Sequence, residues 1–185
     1  AAVLAARGGM GAFRSTQDTS DAEARVRRAL DRVVFELLGT SVGELLPDPD
    51  GDFGTGDLQF RRAVGLVGTA PVWGTTQSLT FELAPGELND GLDNDGNGLV
   101  DDGVIVLTRD VGGDPHRVIL CRGVRGLLEG EIADGADNNG NGIIDEAGFN
   151  VHRVGAVLFV RISVEEPTEL GSVIRTLETS VRPRN

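Results

Sequence analysis

The chain has 185 residues, room for one domain with a sizeable core, and a formal net charge of −12. All 17 basic residues are Arg, and Lys and Tyr are both absent, which excludes a Schiff-base lysine, a phosphate-loop lysine and a tyrosine acid. An acidic balance without a basic stripe argues against nucleic acid, no run of about eighteen apolar residues exists to span a membrane, and the single Cys121 excludes an internal disulfide.

The first residues, Ala1 to Phe13, are small and interrupted by Arg7-Gly8-Gly9, a frayed terminus or the tail of something longer. From Asp21 to Leu38 the pattern predicts a helix. Val26, Leu30, Val33, Val34, Leu37 and Leu38 recur at threes and fours, while Arg25, Arg28 and Arg32 share the polar side. Ser20 or Asp21 suits its start and Gly39 its end. After a Pro- and Asp-rich loop the period shortens to two. Leu58 and Phe60 alternate with polar residues, as do Leu79, Phe81 and Leu83. Val104–Leu107, Val118–Cys121, Val124–Leu128, Ala156–Val164 and Ser172–Val181 are further predicted strands, with Gly112-Gly113-Asp114 as a turn. No second long helix interrupts them, so an antiparallel meander is expected. The expected class is α+β: an N-terminal amphipathic helix packed on an antiparallel sheet, with residues 21–185 one domain and 1–20 a separate lead-in.

Two acidic segments hold most of the charge. Glu87 to Gly103 carries six carboxylates and Glu131 to Glu146 five, and neither window has an Arg. Like charges packed so tightly repel unless a cation neutralises them. The two loops, 89–103 and 133–147, repeat in register 44 residues apart, and each contains D-x-[DN]-x-[DN]-G, the first half of an EF-hand-type calcium loop. Alternate side chains then turn inward. In the first loop the predicted ligands are Asp93, Asp95 and Asn97, the carbonyl of Leu99, and Asp101 or Asp102. In the second they are Asp137, Asn139 and Asn141, the carbonyl of Ile143, and Asp145 or Glu146. All are hard oxygens, without a nearby His or Cys, and suit a cage of six to eight ligands around calcium. Two calcium ions are therefore expected. The acid at loop position twelve is missing and flanking helices are not evident, so a sensor hand is not the expectation. Asn139 in place of Asp95's equivalent predicts weaker binding in the second loop. Both loops are expected at hairpin tips, at one end of the sheet, with structural roles, and calcium sites of this kind favour an extracytoplasmic location.

Several segments, taken in order, resemble a type IV pilin-like protein, and more narrowly a minor pseudopilin of the type II secretion system, J type. They are Phe13-Arg14-Ser15 leading into Ala24–Leu30, then Leu58-Gln59-Phe60-Arg61-Arg62, Ser78–Leu83, Leu107-Thr108-Arg109, Leu120-Cys121-Arg122-Gly123-Val124 and the closing Arg184-Asn185. The resemblance spans most of Phe13 to Asn185 outside the acidic loops. It implies a non-enzymatic subunit of a periplasmic filament or pseudopilus tip. Other pilin-like subunits would be its partners through the N-terminal helix, and an inner-membrane anchor would lie in an apolar segment that this sequence lacks. Residues 1–20 would be the remnant of that membrane helix. Paired inserted calcium loops depart from the J-type pattern.

A calcium-dependent adhesion or ligand-binding module is the alternative, although the loops have few aromatics near them, Phe149 being the closest. Gly39-Thr40-Ser41-Val42-Gly43 matches the nucleophile elbow G-x-S-x-G, but the elbow requires a strand before the Ser, and here a helix is expected. His116 and His152 stand alone, Cys121 lies in an apolar strand, and Trp73 follows Pro71 as a candidate buried anchor.

Overall fold

The computed structural model describes residues 2–168 and 171–184, with side chains from Thr19 onward. Phe13-Arg14-Ser15 falls outside the described side chains, and Ala1 and Asn185 lie outside the described residues. One helix, α1 (Ala2–Leu37), precedes seven strands: β1 (Asp57–Val67), β2 (Ala70–Leu83), β3 (Gly103–Arg109), β4 (His116–Val124), β5 (Phe149–Val154), β6 (Val157–Thr168) and β7 (Gly171–Val181). All strand pairings are antiparallel.

The sheet runs β1-β2-β3-β4-β6, and β7 borders β6 on its other side. β4 and β5 lie end to end along the same edge of β6. Val124 pairs with Val164, and Phe149 then takes up the line opposite Ile162. They form one interrupted strand, from which residues 125–148 make an excursion and return. Arg125 N–H donates to the Ser163 carbonyl and Ser163 N–H to the Gly148 carbonyl, at 3.0 and 2.7 Å, which seals the junction. At Gly148 a Cβ would stand 2.0 Å from the Arg125 carbonyl oxygen, so only glycine lets the two ends meet.

One face of the sheet packs on the helix. Ala22, Val26, Ala29, Leu30, Val33 and Leu37 recur at helical spacing and are buried, as are the alternating Leu158, Val160, Ile162 and Val164 of β6. Leu58, Phe60, Leu79, Ile105 and Leu107 continue the core across β1, β2 and β3. Each such side chain stabilises the fold by about 1.5–3 kcal/mol. Glu36, fully buried near the end of α1, binds Arg32, Arg62 and Arg109 at 2.7–2.9 Å and so ties the helix to β1 and β3.

The fold corrects the α+β class expected from the sequence. Antiparallel strands dominate the described chain, seven against a single helix, so the protein is mostly β with one helix laid on the sheet. The strand content exceeds the sequence pattern because β2 runs fourteen residues and β1 eleven, both past the ends of their alternating apolar residues. β5 adds a strand the pattern does not mark. Val124–Leu128 is not a strand: the chain leaves the sheet after Val124. The helix extends beyond Asp21 to Ala2, through glycines that obscure the periodicity. Among the described residues no helix is long and apolar enough to cross a membrane.

Candidate metal centre

Both acidic loops start from the same end of the sheet, where Gly103 of β3 pairs with Val124 of β4. The first joins β2 to β3 as a hairpin connection. The second is the excursion between β4 and β5, which pair with β6 and not with each other, so the expected second hairpin tip is corrected. The return of the chain to its own line cannot be distinguished from a hairpin by local pattern.

Despite this difference the two loops repeat one backbone path. Ala84 and Leu128 donate their N–H to the carbonyls of Asp102 and Glu146, at 2.9 and 2.8 Å. Leu88 and Ile132 donate to the side-chain oxygens of Asn94 and Asn138, at 2.9 and 3.0 Å. Gly86 and Gly130 have φ of 104° and 90°, and a Cβ there would press on the Cβ of Asp95 and Asn139, at 3.1 and 3.2 Å.

The carboxylates predicted as ligands divide into two roles. Asp93 accepts the N–H groups of Gly96, Asn97 and Gly98 at 2.7–3.2 Å, and Asp137 those of Gly140, Asn141 and Gly142 at 2.7–3.1 Å. A short carboxylate bridging successive backbone donors fixes a tight turn. Asp101 and Asp145, at φ of 49° and 46°, accept from Asp90 and Gly91 and from Asp134 and Gly135 respectively. These four acids shape the loops. Leu99 and Ile143, predicted to offer carbonyls, bury their side chains.

Asp95 and Asp102 converge instead with a residue outside the predicted set, Glu87. The ligand oxygens of the three lie within 4.8 Å of one another. Glu87 is 6% exposed; its Oε1 accepts the N–H groups of Asn94 and Asp95 at 3.0 and 2.8 Å, and its buried Oε2 has no hydrogen-bond partner. The Asn97 amide donates to Asp95 Oδ2 and Asp102 Oδ1, at 3.1 and 3.0 Å, while its oxygen accepts from Leu99 N–H. Burial pushes the Asp102 carboxyl up from the ordinary carboxylate range; the Asn97 bond pulls it down, and the charges of Asp95, Glu87 and Asp93 push it further up. Asp95, Asn97 and Asp102 line a depression of about 400 Å³ shared with Arg25 and Arg122.

In the second loop Asn139 replaces Asp95 and Glu146 replaces Asp102. Glu146 is fully buried. Its Oε1 accepts from Arg161 of β6 at 2.6 Å, and its Oε2 accepts from the Asn141 amide. Burial works against the Arg161 charge, but the bonds it donates to Glu146 and Glu178 outweigh that and hold its pKa above the ordinary arginine value. Glu131, the twin of Glu87, accepts Asn139 N–H at 3.1 Å and leaves its own buried Oε2 without a partner. The signal that could have found both glutamates is the pair Gly86-Glu87 and Gly130-Glu131, repeated at the same spacing as the loops.

Elsewhere, Ser41 follows the end of α1 and precedes a short 3-10 turn, Val42–Glu44, so no strand leads into it. His116 is exposed, His152 half-buried, and Trp73 half-buried in β2. Cys121 is buried, and burial pushes its thiol up to about 11. Comparison with protein-family models, curated proteins and solved structures finds no match.

Proposed function

We propose that this chain is a non-enzymatic structural subunit of a pilin-like filament or pseudopilus tip in protein secretion, with calcium held in its acidic loops. The observation that carries the reading is the 36-residue N-terminal helix, whose face from Ala22 to Leu37 covers the sheet while Arg27, Arg28, Asp31 and Phe35 stay exposed. A helix that caps its own sheet and keeps an outward face is suited to packing against the helix of a neighbouring subunit. The loops gather at one end of the sheet, where bound cations would hold strand ends together. Such a subunit belongs outside the cytoplasm, anchored through a segment ahead of the one described. Its partners would be other pilin-like subunits, and neither nucleic acid nor a small-molecule substrate is required.

The test is chemical cross-linking of the full-length protein in its native envelope, followed by identification of the linked chains. Adducts with pilin-like subunits through the helix are expected; a chain recovered only as a monomer, or linked to unrelated proteins, overturns the role. A second reading, a calcium-dependent ligand-binding module, is favoured by one feature. A cleft of about 640 Å³ opens between the loops, lined by Phe81, Leu83, Val100, Arg125 and Leu127 among others.

A further inference from the structure

We propose that the first acidic loop is a divalent-cation site, fitted to calcium and built from Glu87, Asp95 and Asp102, whereas the second loop is a closed copy in which Arg161 supplies the positive charge. The inference rests on the calcium reading of the loops given above and is independent of the assembly role.

In the first loop three carboxylates converge, and among the described residues none of them makes an ion pair. Every donor that reaches them is a neutral amide: the backbone N–H groups of Asn94, Asp95 and Asn97, and the Asn97 side chain. The buried Glu87 Oε2 is left with no donor at all. An acceptor buried in that state is costly, and a charged one more so. A cation among the three oxygens would satisfy it and cancel the repulsion together. The donors are all hard oxygens on a loop with one exposed member, Asp95, and two buried ones, Glu87 and Asp102. Such a set leaves room for water ligands and the irregular cage that calcium accepts.

The second loop controls for backbone shape, since its path is the same. There Glu146 has both oxygens engaged, one by Arg161, and the residue at the Asp95 position is the neutral Asn139. Only Glu131 keeps a free carboxylate oxygen. A single carboxylate beside an amide is a poor cage for a divalent ion, and the guanidinium has already met the buried charge. The expectation of two ions, the second held more weakly, thus narrows to one.

Calorimetric titration of calcium into the chelator-stripped full chain decides the matter. One site is expected. Glu87→Gln should weaken it at least tenfold, and Glu131→Gln should leave it within twofold. Asp95→Asn, which installs the second loop's own residue at an exposed position, should weaken it as Glu87→Gln does and guards against misfolding of the buried variant; circular dichroism of each variant confirms the fold. Two sites of similar affinity, or one site that survives Glu87→Gln and falls with Glu131→Gln, overturns the asymmetry while leaving the calcium reading intact. No binding heat and no change in melting temperature overturns both.

Discussion

The two acidic loops share a backbone and differ in how they meet their charge. Residues 84–102 and 128–146 make matching turn bonds, yet the first gathers Glu87, Asp95 and Asp102 without an ion pair among the described residues, and the second seats Glu146 on Arg161. The difference shows that a loop motif specifies a shape before it specifies a ligand. Asp93 and Asp137 hold the same turn in both, and whether an ion is needed depends on residues far off in sequence, here Arg161 on β6. A buried carboxylate is costly unless a positive charge, hydrogen bonds or a proton meets it. The chain meets this need internally in one place; in the other, among the described residues, no ion pair meets it.

The largest expected effect comes from breaking the internal match. Arg161→Ala strands the fully buried Glu146 and should cost roughly 3–5 kcal/mol in denaturant unfolding. Calcium should restore part of that loss, because Glu131 and Glu146 would then both be free to bind it. A loss below about 1 kcal/mol, or one that calcium leaves untouched, would break the comparison.

Next in size is the response of the unaltered chain to the ion. At a calcium concentration about a hundredfold over Kd, stabilisation should approach 2.7 kcal/mol, a melting shift of roughly 5–10 °C for a domain of this size. Asp102→Asn should abolish most of that shift. Glu146→Gln should lower the baseline while keeping the shift.

A smaller and symmetrical effect is expected where the loops are alike. Asp93→Ala and Asp137→Ala each remove an acceptor for three backbone N–H groups. In chelator each should cost about 1–2 kcal/mol, by equal amounts. In calcium the Asp93 variant should fall further behind, and an equal loss would show the loops to be equivalent.

The smallest effect is kinetic. Cys121 is buried beside Ile105 in the β3–β4 pairing, with its thiol raised to about 11, so alkylation near neutral pH requires local opening. The thiolate fraction rises with pH up to that value, and labelling should quicken accordingly. Calcium should slow labelling by a few fold at fixed pH through its hold on the start of β3 at Gly103, one residue beyond Asp102.

Much of this was legible in the sequence, for identifiable reasons. The α1 stripe from Val26 to Leu37 and the alternation in β2 and β7 declared themselves, and the unbroken apolar run Val104–Leu107 marked β3 although it is buried on successive residues. The paired loops were legible because the Asp, Asn and Gly positions that form the turns are local and repeat. β5 was not: Phe149-Asn150-Val151 is buried on successive residues, so no alternation appears. Nor was the balance of class, since a helix and a few strands read as α+β until the lengths of β1 and β2 were known. Within the site, Glu87 was missed because it precedes the recognised motif by six residues and enters through a turn that Gly86 alone allows. Glu146 was given the role of a ligand because Arg161, fifteen residues on, reaches it only once β6 is in place.

The broken line formed by β4 and β5 gives the second loop a detachable character. Its two ends already sit side by side, sealed by Gly148 against Arg125, so shortening or replacing the excursion asks the remaining strands for new partners to Arg161 of β6 and Thr176 of β7. The hairpin between β2 and β3 also brings its ends together, Leu83 opposite Gly103, but there a shorter turn would remove the three converging carboxylates. Of the two acidic appendages, then, the one whose buried acid is met by Arg161 is the one the scaffold could exchange for a foreign segment without losing the converging carboxylates.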